Sequence, residues 1–202
     1  MPGFSDSYQG FRESLEFINT KEELEEFFNE KLSDLDYDNS VKKYVSGLMT
    51  DFVYERGNDL VSVLYNKTLE RARIKEFFDK KAFVPLKNMG DAFLWCCGFF
   101  PEHVIDRNRN RPRFALTLDD YMGYGRDAYS RASLLNGAGE FPVGEISKNF
   151  KWVVHSIINM RDKINPKMKY SVNPETVKEI ERVVNGGRQI FENENNEIII
   201  LN

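Results

Sequence analysis

Nine uncharged residues in succession, Ala92 to Phe100 (AFLWCCGFF), limit what this chain can fold into more than any other stretch. On a helix they are apolar around the whole circumference, and such a helix must be enclosed by protein or by lipid. Nine residues, bounded by Asp91 and by Pro101-Glu102-His103, fall far short of the ~20 that a bilayer span needs. The run reads as the buried centre of a soluble protein, with no membrane association expected. A chain of 202 residues can supply the enclosing layer as one large domain. Its sixteen Phe and nine Tyr give that core its bulk without a disulfide or metal staple.

The flanking sequence alternates apolar and charged positions at helical spacing. Thr20 followed by Glu23 forms a capping box ahead of Leu24, Phe27, Phe28, Leu32 and Leu35. Ser40 is a candidate N-cap for a helix carrying Val41, Tyr44, Val45, Leu48, Met49 and Phe52, ending near Gly57. Asn58 can cap a further helix with Leu60, Val61, Leu64 and Leu69 inward, extending toward Ile74, Phe77 and Phe78. Pro85 is expected to interrupt the pattern, so the buried helix starts at about Leu86. Residues 101–116, with Arg and Asn between Pro101 and Pro112, read as a loop.

Thr117 with Asp120 then opens the cleanest amphipathic run of the chain: Leu118, Tyr121, Met122, Gly125, Ala128, Tyr129, Ala132 and Leu135. Gly125 and Ala128 lie in the middle of that face, where small residues admit a second helix backbone. The partner predicted for it is the buried helix, with Gly98 on the other side of the contact. Ile146, Phe150, Val153, Val154, Ile157 and Ile158 form another face. Asn173-Pro174 marks the start of a last helix, since Asn caps and Pro suits the first helical position. Gly186-Gly187 stops it, and the tail from there is either a small hairpin or a short helix with an extended end.

Charge is unevenly placed. Residues 1–38 carry eleven Asp/Glu against Arg12, Lys21 and Lys31, a net −8, whereas the whole chain is −4. An acidic N-terminal helical arm on a mildly basic body suggests internal docking or a basic partner. The two cysteines, Cys96 and Cys97, are adjacent, a spacing that disfavours a bridge between them. With no other cysteine and no signal-peptide pattern at the start, a reducing cytoplasm is the expected location.

The candidates for chemistry are few. Cys96-Cys97 sit among Phe, Leu and Trp with nothing electropositive to activate a thiolate, which makes them packing residues. His103 and His155 are far apart in sequence and serve no Ser or Cys nucleophile motif. His103 is expected in the C-terminal turn of the buried helix, where a cation meets the dipole favourably. Asp119-Asp120 suit a helix N-terminus better than a metal site, and no metal or cofactor is expected. Arg107, Arg109, Arg111 and Arg113 alternate with Asp106, Asn108, Asn110 and Pro112. Four guanidinium groups on one loop could neutralise the phosphates of a nucleic acid or another polyanion. No glycine-rich phosphate cradle is present, since Gly123-Tyr-Gly125 and Gly137-Ala-Gly139 do not follow strands.

The run Met89-Gly90-Asp91, Leu94, Gly98-Phe99-Phe100, followed by Asp120-Tyr121, Gly125 and Ala128-Tyr129, resembles a group of uncharacterised bacterial helical proteins. The Tyr44-Val45, Leu48, Phe52 helix is similar to that group's earlier apolar helix, so the likeness covers about residues 41–160. It implies a helical fold and brings no assigned activity with it.

The expectation is an all-α, single-domain multi-helix bundle over 1–202, built around a central helix at about 86–100. Residues 1–38 form the acidic arm, and 186–202 a tail that includes the short β-like option. The leading functional reading is a non-catalytic protein acting through a protein partner or self-association. The alternative is nucleic-acid association through Arg107–Arg113. The third is a helical enzyme or small-ligand-binding protein, with Asp91, His103, Tyr121 and Tyr129 as the polar groups of a pocket.

Overall fold

The computed structural model describes residues 10–32, 38–56, 78–79, 81–110, 116–166, 174–184, 190–192 and 198–200, with backbone alone at 55–56, 106–110, 190–192 and 198–200. The helices are α1 Lys21–Lys31, α2 Asn39–Asp51, α3 Phe83–Phe99, α4 Pro101–Asn110, α5 Leu118–Ala132, α6 Val143–Lys148, α7 Phe150–Ile164 and α8 Pro174–Val184. The fold is thus the all-α multi-helix bundle that the periodicity predicts. The C-terminal tail takes the hairpin alternative: Ile190–Glu192 (β1) pairs antiparallel with Ile198–Ile200 (β2), Phe191 opposite Ile199.

Helix α3 is the axle of the bundle. Leu86 and every residue from Met89 to Phe99 are buried, and Phe100 beyond its end is 1% exposed. The uncharged run is therefore enclosed by protein on all sides. Among the described residues no helix is long and apolar enough to cross a membrane. One connected cluster of buried side chains extends from Phe11 to Val184 around it.

Two capping boxes form where the sequence places them. Thr20 and Glu23 close the start of α1, and Thr117 and Asp120 close the start of α5, each satisfying N–H groups that have no intrahelical acceptor. Four local expectations are corrected. The cap of α2 is Asp38, whose carboxylate accepts from Ser40 N at 2.7 Å, rather than Ser40 itself. Pro85 does not interrupt: α3 begins at Phe83, which puts Pro85 in the first turn, where its missing N–H costs nothing. Residues 101–110 are helix α4 rather than loop, with Pro101 at the first helical position and Glu102 in the acid-favouring first turn. His103 consequently stands near the N-terminal end of α4, where the dipole does not favour a cation, and not in the last turn of α3. The expected helices between Asn58 and Phe77 lie outside the described residues.

Helices α3 and α5 run antiparallel in close contact, as the small residues of α5 suggest. A Cβ on Gly125 would collide with Phe150 and come within 2.9 Å of Phe93 Cβ. A Cβ on Gly90 would lie 2.6 Å from the Tyr129 ring, so Gly90 and Gly125 are the glycines that bring these two helices together. Gly98 serves a different neighbour. It faces Ile157 of α7, 2.6 Å from where its Cβ would be, and not α5 as expected from sequence.

Candidate functional site: a carboxylate held by two tyrosines and a lysine

Asp91 immediately precedes the uncharged run, at the middle of α3, and is 6% exposed. A bare carboxylate in such a position would cost several kcal/mol in desolvation. Its neighbours prevent that. Tyr129 Oη donates to Asp91 Oδ1 at 2.6 Å, Tyr44 Oη donates to the same oxygen at 2.5 Å, and Lys87 Nζ donates to Oδ2 at 2.7 Å. Lys87 lies one turn before Asp91 on α3, the i,i+4 spacing at which side chains meet. Its ammonium also stands 5.2 Å from the Tyr44 ring centre and 5.3 Å from that of Phe141, within cation–π range. Three helices, α2, α3 and α5, thus converge on one carboxylate.

The electrostatics make this a closed arrangement. Burial, reinforced by the negative charge of Asp91, pushes the Tyr44 and Tyr129 hydroxyls far above their ordinary range. Neither can give up its proton near neutral pH, as a general base or acid of matched strength must. Both instead remain neutral donors, and each of the four groups has a partner within the cluster.

Of the polar residues singled out from sequence for a pocket, the structure brings together Asp91 and Tyr129 only. Tyr121 is buried edge-on against Phe93, ring centres 5.3 Å apart. His103 stands against Phe100, 5.9 Å between ring centres. Tyr44 and Lys87 are the members that sequence reading missed. The Lys87–Asp91 spacing was visible, but Tyr44 sits in an apolar stripe and its hydroxyl partner is 47 residues away.

A second buried polar knot closes the C-terminal end of α3. Arg161 of α7, 2% exposed, donates from Nη1 to the Phe99 carbonyl at 2.7 Å and to Glu102 Oε2 at 2.9 Å. Its Nη2 and Nε reach Asp162 Oδ1 at 2.8 and 3.0 Å. Burial would weaken the guanidinium's hold on its proton, but Glu102 and Asp162 more than offset this, leaving its pKa raised. One side chain therefore satisfies an orphan carbonyl at the end of α3 and ties it to the first turn of α4.

The remaining candidates are separate from both knots. Cys96 and Cys97 are buried without a disulfide, and burial pushes the Cys97 thiol well up, away from thiolate chemistry. Asp120 caps α5, and Asp119 meets Lys151 at 3.8 Å and Arg182 at 3.6 Å on the surface. Among the described residues no three His, Cys, Asp or Glu side chains are grouped to hold a metal ion. Positions Arg107 and Arg109 fall on α4, where residues two apart are about 200° around the axis, while Arg111 and Arg113 lie outside the described residues.

A groove of about 450 Å³ opens elsewhere, lined by Arg12, Glu13, Leu15, Glu16, Ile18, Leu24, Val53 and Tyr54. The segment forming one wall is docked on the body by Phe11, edge-on to Phe99 at 5.0 Å, and by Asn165 Nδ2, which donates to Gly10 O at 3.2 Å and Ser14 Oγ at 2.8 Å. The opposite wall is a π-helical turn, Phe52–Arg56, that continues α2. Comparison of the chain with protein-family models, curated proteins and solved structures finds no match.

Proposed function

We propose that this chain acts non-catalytically in the cytoplasm, by binding another protein or a second copy of itself, and without a cofactor. The observation that carries the reading is the closure of the two buried charged clusters. Asp91 is held by Tyr44, Tyr129 and Lys87, and Arg161 by Glu102, Asp162 and the Phe99 carbonyl. Groups so engaged stabilise and position helices, and neither tyrosine titrates near neutrality. The acidic N-terminal portion against a mildly basic remainder adds the charge contrast that a docking surface uses.

The test pairs two measurements on the full chain. Crosslinking in intact cells followed by mass spectrometry should give a defined protein complex, and that complex should re-form from purified components. Screening of small molecules by thermal shift should give no comparable stabilisation. A small molecule that raises Tm in proportion to its concentration, in the absence of any reconstituted complex, would overturn the reading.

A further inference from the structure

We infer that the groove between the N-terminal segment and the π-helical turn is a docking surface for a basic amphipathic segment of a partner protein. The inference rests on the interaction reading above and says where and with what chemistry the interaction occurs. Its floor is aliphatic: Leu15 and Leu24 are 4% and 3% exposed, Val53 is 5% exposed, and Ile18 is partly buried. That apolar strip is the smaller part of the groove's lining, which is otherwise polar.

The rim differs in kind. Glu13 and Glu16 stand on it, with Arg12 as the one cation among the described lining residues. Tyr54 of the lining and Phe17, between Glu16 and Ile18 in the chain, are two of the large hydrophobic side chains that the protein leaves in solvent, at 54% and 67% exposure. Phe17 is held in place edge-on to Phe27, ring centres 5.8 Å apart, so it is a fixed anchor and not a loose end. Exposed aromatic rings among carboxylates attract lysine and arginine twice, through charge and through the ring face. An apolar floor, aromatic flanks and an acidic rim together fit a helix whose greasy face is bordered by basic residues.

The experiment titrates the full chain with a fluorescently labelled synthetic amphipathic helix of Leu, Lys and Ala, followed by anisotropy. Two control peptides accompany it, one with Lys replaced by Glu and one with the Leu positions scrambled. The basic amphipathic peptide should bind, the two controls should not, and binding should weaken as salt rises. Phe17→Ser and Glu16→Lys, both at exposed positions and checked for unchanged melting, should each weaken binding about tenfold. Equal binding of the scrambled basic peptide, or affinity unchanged in both variants, overturns the assignment. So does concentration-dependent dimerisation that Phe17→Ser abolishes, because the occupant is then a second copy. A reconstituted complex that survives both variants removes this face but leaves the interaction reading standing. Absence of any complex removes both.

Discussion

A single carboxylate shows how one residue can decide the behaviour of its surroundings. Asp91 survives burial only because two hydroxyls and an ammonium meet it, and each of those partners depends on it in turn. Tyr129→Phe keeps the ring against Gly90 and removes one donor, so a loss of about 1–2 kcal/mol in urea unfolding is expected. Asp91→Ala strands two hydroxyls and the Lys87 ammonium and should cost more, about 3 kcal/mol or above. The tyrosines also carry a pH signature. Their folded pKa values lie above the ordinary value of 10.0, so their contribution is complete below that pH and is lost progressively as pH rises above it toward the raised folded values. Unfolding midpoints should be level below about pH 10 and fall as pH rises above it, less steeply in Tyr129→Phe than in the parent. His155 behaves oppositely at the acid side. Burial lowers its folded pKa below 6.5, so the unfolded chain binds the extra proton and stability declines as pH drops below that value. His155→Gln should flatten the dependence of Tm on pH just below 6.5; a slope unchanged by the substitution would mean another group is responsible.

Between elements, glycines decide which helices touch. Periodicity identified α5 and its small-residue face, because Gly125 and Ala128 recur at helical spacing whatever they pack against. It could not say that Gly90 and Gly125 serve the α3–α5 contact while Gly98 serves α7, since all three look alike in sequence. Gly98→Ala would place a methyl 2.6 Å from Ile157 Cγ2. The resulting overpacking should destabilise by about 1–3 kcal/mol despite the better helix propensity of Ala. Gly123 is the control, with nothing within 4 Å of its would-be Cβ. Gly123→Ala should be neutral or stabilise by up to about 1 kcal/mol. Thermal melts of the two variants side by side check both statements. The capping boxes at Thr20 and Thr117 were legible because a cap is a contact over three residues. The helical state of 101–110 was not, because its sequence of Arg and Asn has little apolar periodicity. The first turn of α4 is fixed by Glu102 reaching Arg161, 59 residues away.

At the scale of the molecule, the two buried knots pin the middle and the C-terminal end of the central helix to its neighbours. Asp91 joins α3 to α2 and α5, and Arg161 joins its far end to α4 and α7. Arg161→Met would fill similar space yet leave the Glu102 carboxylate and the Phe99 carbonyl buried without their donor. A loss of about 3–5 kcal/mol in chemical denaturation is expected; a loss below 1 kcal/mol would mean that water reaches this end of α3. What the sequence by itself determined is the architecture: one run apolar on every side had to be central, and helices with one greasy stripe had to surround it. Those conclusions need only local spacing and the cost of exposing apolar surface. What only the tertiary structure decided is which polar groups meet. Tyr44, Asp91 and Tyr129 are separated by tens of residues, and so are Arg161 and Glu102. Their pairing follows from how whole helices cross, a long-range outcome that residue spacing does not encode.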